Sequence, residues 1–148
     1  MTSYTGNQDQ KATGSKRFAG FMPRTLGFIM GLIFFVFGLN MLLNFIPQPK
    51  DPMPMGAVAF ASALIKTGYL YKLTAWTEIT CGALLLLNRF VPLALALIAP
   101  VVINIMAFHV FLAPSGLVIA ILVLALEIYL ALAYRRAFSP MLVARFTP

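Results

Sequence analysis

From Thr25 to Ile46 the chain runs without a single charge, "TLGFIMGLIFFVFGLNMLLNFI". At about 1.5 Å per residue a helix of that length crosses a hydrocarbon core of roughly 30 Å. Hydrocarbon offers the backbone no hydrogen-bond partners, so a lone apolar run of this kind is viable there only as a helix. Three further apolar runs follow, Leu73–Asn88, Phe90–Ala113 and Ser115–Tyr134. The first of these is short, but Lys72 and Arg89 bracket it and their aliphatic stems can snorkel to the two interfaces. The turn "APSG" between the last two runs is short enough to make them antiparallel neighbours. The expected fold is all-α, an integral membrane four-helix bundle.

Composition agrees with that reading. Hydrophobic residues make up 61% of the 148 and charged residues 10%, with a mean hydropathy of +0.90, far from a soluble domain. The net charge of +7 would suggest nucleic acid in a soluble protein. Here the basic residues flank apolar runs, so they read as topology determinants and contacts for membrane lipids, with no nucleic-acid role. Lys11, Lys16, Arg17, Arg24, Arg89, Arg135, Arg136 and Arg145 fall on one side of a four-span arrangement, and Lys50, Lys66 and Lys72 on the other. The imbalance puts both termini in the cytoplasm.

Residues 1–22 are polar, lack an apolar core and carry a basic cluster, so they read as a disordered N-terminal tail. The membrane domain then covers 23–138, and 139–148 form a C-terminal tail. The first outer loop, "PQPKDPMPMG", is rich in proline, and Ala57–Lys66 reads as a short amphipathic helix at the outer interface, placed to act as a lid. No internal repeat is evident. Cys81 is the one cysteine, so dithiol chemistry within one chain is excluded.

Polar side chains inside apolar runs mark where to look for a site, because each needs a partner in protein, water or ligand. From the helix rise, Asn40, Glu78, Asn104 and His109 lie about 10, 9, 14 and 7 Å below the outer helix ends, and Glu127 about 18 Å below. Glu78 shares a face with Thr74, Cys81 and Gly82, Asn104 with Ala96, Pro100 and Ala107, and Glu127 with Gly116, Ala120 and Ala131. Stripes this small suit close helix packing, so all three read as inward faces. Gly27, Gly31 and Gly38 in the first span include a GxxxG, suited to packing within the bundle or to a homo-oligomer. Pro100 leaves the carbonyl of Ala96 without its helical donor. Asn104 and His109, five residues apart, diverge by about 140° and cannot point at one spot.

Plain readings stand beside the functional ones. Asn40, Asn44 and Asn104 suit interhelical hydrogen bonding, His109 a bond to a backbone carbonyl or water, and Trp76, Tyr69 and Tyr71 interface anchoring. Glu78 and Glu127 are harder to dismiss, since an unpaired buried charge is costly, and His109 is the expected partner of Glu78. Met106 and His109 share a face but give too few ligands for haem or a metal, and neither is expected.

The segments "WTEITCGALLLLNRFVPLAL", "APVVINIMAFHVFLAPSG" and "LEIYLALAYRRAF" resemble the DoxX family of small bacterial four-helix membrane proteins. Trp76, Glu78, Gly82, Arg89, Pro92, Asn104, His109, Glu127, Tyr129 and Arg135 occupy the positions of the family's pattern. The resemblance extends from the first span to about Phe138. It implies a location in the bacterial cytoplasmic (inner) membrane and an association with membrane redox complexes that handle thiosulfate, thiols or oxidative stress. The wider grouping includes quinone-using thiol oxidoreductases, from which this chain departs in lacking a cysteine pair.

Two functions from different classes follow. In the first the chain is a quinone-linked subunit acting with a protein partner: Glu78 and His109 bond the quinone or relay its protons, Trp76, Asn104, Asn40 and Glu127 help bind it, and the partner supplies electrons. In the second it is a non-catalytic assembly subunit or a binder of a lipophilic small molecule, its buried polar groups fixing helix register.

Overall fold

The computed structural model describes residues 6–47 and 52–142, with side chains over 21–47 and 52–140. The described residues are all-helical: α1 (Gly6–Leu43), α2 (Met55–Lys66), α3 (Leu70–Leu86), α4 (Val91–Phe111), α5 (Leu117–Ala133) and the short α6 (Arg135–Phe138). Three stretches are long and apolar enough to cross a membrane, Phe21–Leu43, Val91–Phe111 and Pro114–Ala133. α1 packs along α3 and against α5, and α4 packs against both α3 and α5, so these four helices close a ring of contacts.

Helix boundaries follow local chemistry. α3 ends in a Schellman motif: the Arg89 N–H donates to the Leu84 carbonyl and the Asn88 N–H to that of Leu85, with Asn88 at φ 50°. Asparagine tolerates this left-handed position better than most residues. Pro92 in the first turn of α4 has no N–H to leave unsatisfied there. α1 ends where Asn44, also at φ 50°, donates to the Asn40 carbonyl.

α1 begins at Gly6, so most of the stretch read from sequence as a disordered tail, 1–22, is helical. Extending an existing helix fixes one residue per hydrogen bond, far cheaper than nucleating one, and the apolar run downstream supplies the nucleus. Of the C-terminal tail, residues 143–148 lie outside the described residues.

The interior is apolar, with Met30, Phe34, Leu85, Leu95, Ile98 and Leu130 almost wholly buried. The exterior is apolar too: Phe28, Leu32, Leu93, Ile103, Leu122 and Leu132 are all exposed, an arrangement suited to lipid and not to water. The seam between α1 and α3 is the tightest. A methyl added at Gly82 would lie 2.5 Å from the Phe35 nitrogen and 2.8 Å from the Gly31 carbonyl oxygen, and one at Gly38 would lie 2.9 Å from Glu78 Cβ. Of the GxxxG pair only Gly31 joins this seam, because Gly27 has nothing within 4 Å of its would-be Cβ.

α2 is present as the sequence suggested, with Ala57 fully buried. It packs on α3, and Phe60 meets Phe108 of α4 at 5.6 Å between ring centroids.

Candidate functional site

Near the α2 end, a partly open cleft of about 260 Å³ lies between α1, α3, α4 and α5. Its polar side chains are Asn40 from α1, Glu78 from α3 and His109 from α4. Its apolar wall comprises Ile33, Phe34, Phe37 and Met41 of α1, Ile105 of α4, and Ile119 and Val123 of α5. Phe37 and Ile119, on opposite sides, are 52% and 66% exposed. The cleft therefore opens sideways between α1 and α5, toward the surface that carries the exposed apolar residues.

Glu78 reaches the cleft because α1 and α3 touch at Gly38. The missing side chain there lets the helices approach until Glu78 Cβ sits where a methyl would collide. Glu78 is 6% exposed and makes no hydrogen bond or ion pair with the described residues. A buried carboxyl without a protein partner is costly, so its oxygens need a donor inside the cleft.

His109 is held differently. Its Nδ1 lies 2.8 Å from the Ala113 carbonyl oxygen; a carbonyl can only accept, so Nδ1 carries a hydrogen and Nε2 is left for the cleft. The ring rests on Gly116, where any Cβ would overlap the imidazole. The turn "APSG" thus supplies both the acceptor and the bare backbone that orient the ring. The plain reading of His109, a bond to a backbone carbonyl, applies to one nitrogen. The expected pairing of His109 with Glu78 is absent among the described residues: the two share a cleft, and the ring is anchored by its own turn.

Asn40 also divides its polar atoms. Its Oδ1 accepts from the Ile46 N–H at 2.7 Å, tying down the chain beyond α1, and its amide nitrogen remains available.

The other three expected site residues lie elsewhere. Glu127 is buried one helical turn from Val123, on the side away from α2, and its Oε2 has no hydrogen-bond partner among the described residues. Trp76 is 58% exposed and lines a separate groove of about 240 Å³ between α3 and α4 with Thr77, Thr80, Cys81 and Leu97. Asn104 is exposed. The inner side of α4 belongs to Ala94, Leu95, Ile98 and Val102, and the stripe of Ala96, Pro100 and Asn104 faces the opposite way. α2 contributes no residue to the cleft wall; it sits beside the C-terminal end of α4, with Phe60 against Phe108. Among the described residues no three His, Cys, Asp or Glu side chains form a group able to hold a metal ion.

Sequence reasoning singled out no individual residue of the apolar wall. Phe34, Phe37, Ile105 and Val123 carry no signal that separates them from the many other apolar residues of their helices.

The fold and cleft define an all-helical protein with apolar helices fit for a membrane and a sideways-opening polar recess. Compared with known proteins, the chain matches no family model, no curated protein and no solved structure.

Proposed function

We propose that this chain is a DoxX-like four-helix protein of the bacterial cytoplasmic membrane that binds the head of a quinone-type lipophile in the cleft, as a subunit of a membrane redox system. In this reading α3 is the fourth span. Its 17 residues reach about 25 Å, and Lys72 and Arg89 anchor its ends, with both termini in the cytoplasm.

The observation that carries the proposal is the cleft itself, where Asn40, Glu78 and His109 from three helices meet at one end of an apolar recess open to the side. At about 260 Å³ it is smaller than the roughly 300–1,000 Å³ of sites that enclose a whole drug-sized ligand. A ring-sized head fits, and its tail leaves past Phe37 and Ile119 into the bilayer. A quinone, when bound, supplies two-electron, two-proton chemistry, and the partner supplies the electrons. His109 Nε2, the bare nitrogen, would accept from a hydroxyl of the reduced (quinol) head, Glu78 would exchange a proton with its other polar edge, and Asn40 would donate from its amide.

A second reading, that these groups serve assembly alone, draws on two contacts: Asn40 Oδ1 and His109 Nδ1 are both bonded to backbone. One experiment separates the two readings. The full chain is purified in nanodiscs, co-extracted lipophiles are identified, and a short-tailed quinol, the reduced head that carries the hydroxyls, is titrated against wild type, Glu78→Gln and His109→Ala. Saturable binding weakened tenfold or more in both variants, about 1.4 kcal/mol, supports the proposal. No binding to wild type, or equal binding to all three, refutes it.

A further inference from the structure

α4 is 21 residues long, and Asn104 lies near its middle on the side turned away from α1, α3 and α5. Its amide has no hydrogen-bond partner among the described residues. Along the same stripe run Ala96 and Pro100, both exposed, and the half-buried Ala107. Pro100 has no N–H, so the Ala96 carbonyl lacks its helical donor on this stripe as well. On α3, the exposed Trp76 lines the groove that flanks this side of α4, together with Leu97.

Lipid tails can satisfy none of these groups, and a lipid-facing polar side chain near mid-membrane is costly. The stripe has the composition of a helix packing face, small residues around one amide, yet none of the described residues covers it.

We infer that this face of α4 is the contact between two copies of the chain, with Asn104 at the crossing point. The occupant follows from the chemistry of the amide. An asparagine side chain carries both donors and an acceptor, so it is its own complement. Two copies inserted the same way are related by an axis along the membrane normal, which sets α4 parallel to its copy and brings the two Asn104 amides together. Each amide then donates to the other. A foreign helix would need a polar residue of its own at the same depth, whereas a second copy has one by symmetry. Small Ala96 and Ala107 permit close approach, and the groove beside Trp76 and Leu97 receives side chains of the partner helix. The inference stands apart from the ligand reading, because no residue of this face lines the cleft.

The test uses the full chain reconstituted in vesicles over a range of protein-to-lipid ratios, with stoichiometry counted by single-molecule photobleaching. Wild type is expected to dimerise. Asn104→Leu should weaken the dimer roughly three- to thirtyfold, the range for interhelical hydrogen bonds in membranes, while Asn104→Gln keeps most of the affinity. In a Cys81→Ala background, Asn104→Cys should form a disulfide-linked dimer and Leu122→Cys, exposed on α5, should not. Asn104 is exposed in the single chain, so its variants are expected to fold, which circular dichroism checks. A monomeric wild type at every ratio, a dimer indifferent to Asn104→Leu, or cross-linking from position 104 only to a different polypeptide in native membranes each overturns the inference.

Discussion

Replacing Gly82 by alanine tests the seam between α1 and α3, the same seam on which Gly38 admits Glu78. The new methyl would lie 2.5 Å from the Phe35 nitrogen, 2.8 Å from the Gly31 carbonyl oxygen and 2.9 Å from Phe35 Cα. All three are backbone atoms, so no side chain can swing aside. Reaching 3.4 Å, where ordinary contact begins, requires α1 and α3 to part locally by 3.4 − 2.5, about 0.9 Å. Overpacking of this kind costs about 1–3 kcal/mol, and the better helix propensity of alanine offsets at most about 1 kcal/mol. Gly31→Ala meets the same seam from the other side, with its closest contact at 2.8 Å to the Leu86 nitrogen, and needs 3.4 − 2.8, about 0.6 Å. The opening forced by Gly82→Ala already exceeds that, so the double variant should cost little more than Gly82→Ala alone. Gly27→Ala, with open space at its Cβ, should be neutral or slightly stabilising. Denaturant unfolding of the four variants in mild detergent measures all of this. Strict additivity of the pair, or a Gly27→Ala loss equal to that of Gly82→Ala, would show that the seam is not what joins α1 to α3.

Three further outcomes follow from the cleft. Gly116→Ala should displace the imidazole from its seat and weaken quinol binding about as much as His109→Ala does, read by titration in nanodiscs; wild-type affinity would mean the turn does not orient the ring. Asn40→Ala removes the acceptor of the Ile46 N–H and should cost about 1 kcal/mol, seen as faster amide exchange at Asn44–Ile46 with the rest of α1 unchanged. Val123→Phe should fill much of the recess and abolish binding while leaving the unfolding midpoint within a few degrees, whereas retained binding would place the ligand elsewhere.

The helices were legible because the apolar runs have clear boundaries, Lys72 and Arg89 around the second and "APSG" between the last two; the first run was carried to Ile46, three residues past the end of α1 at Leu43. α2 was legible at Ala57–Lys66 and begins only two residues earlier, at Met55. The helical stretch from Gly6 was not, since polar composition says that a segment lacks a core of its own and says nothing of a neighbour able to extend a helix into it. Within the site, Asn40, Glu78 and His109 were found as polar groups at matching depth, and the cleft brings them together. Depth needs only counting along a helix. Which groups meet depends on the rotation of each helix about its own axis, and a run that is apolar all round gives little signal for that.

Small residues were the one available guide to rotation, and they served unequally. On α3 the guide held, because Cys81 and Gly82 are buried and Gly82 touches α1 backbone. On α5 it held again, with Ala120 and Glu127 both turned inward. On α4 the small stripe faces out, and the bulkier Leu95, Ile98 and Val102 fill the interior. The rule that small faces pack closely in lipid does not say against what they pack. An inward assignment assumes that every neighbour belongs to the same chain. With Asn104 and His109 about 140° apart on one helix, α4 can present one of them to its own bundle only by presenting the other outward. His109 takes the inner position, where Ala113 and Gly116 fix its ring. The outward amide then needs a partner that the described residues do not supply, and the same packing rule read across two copies returns Ala96, Pro100 and Asn104 to a buried face.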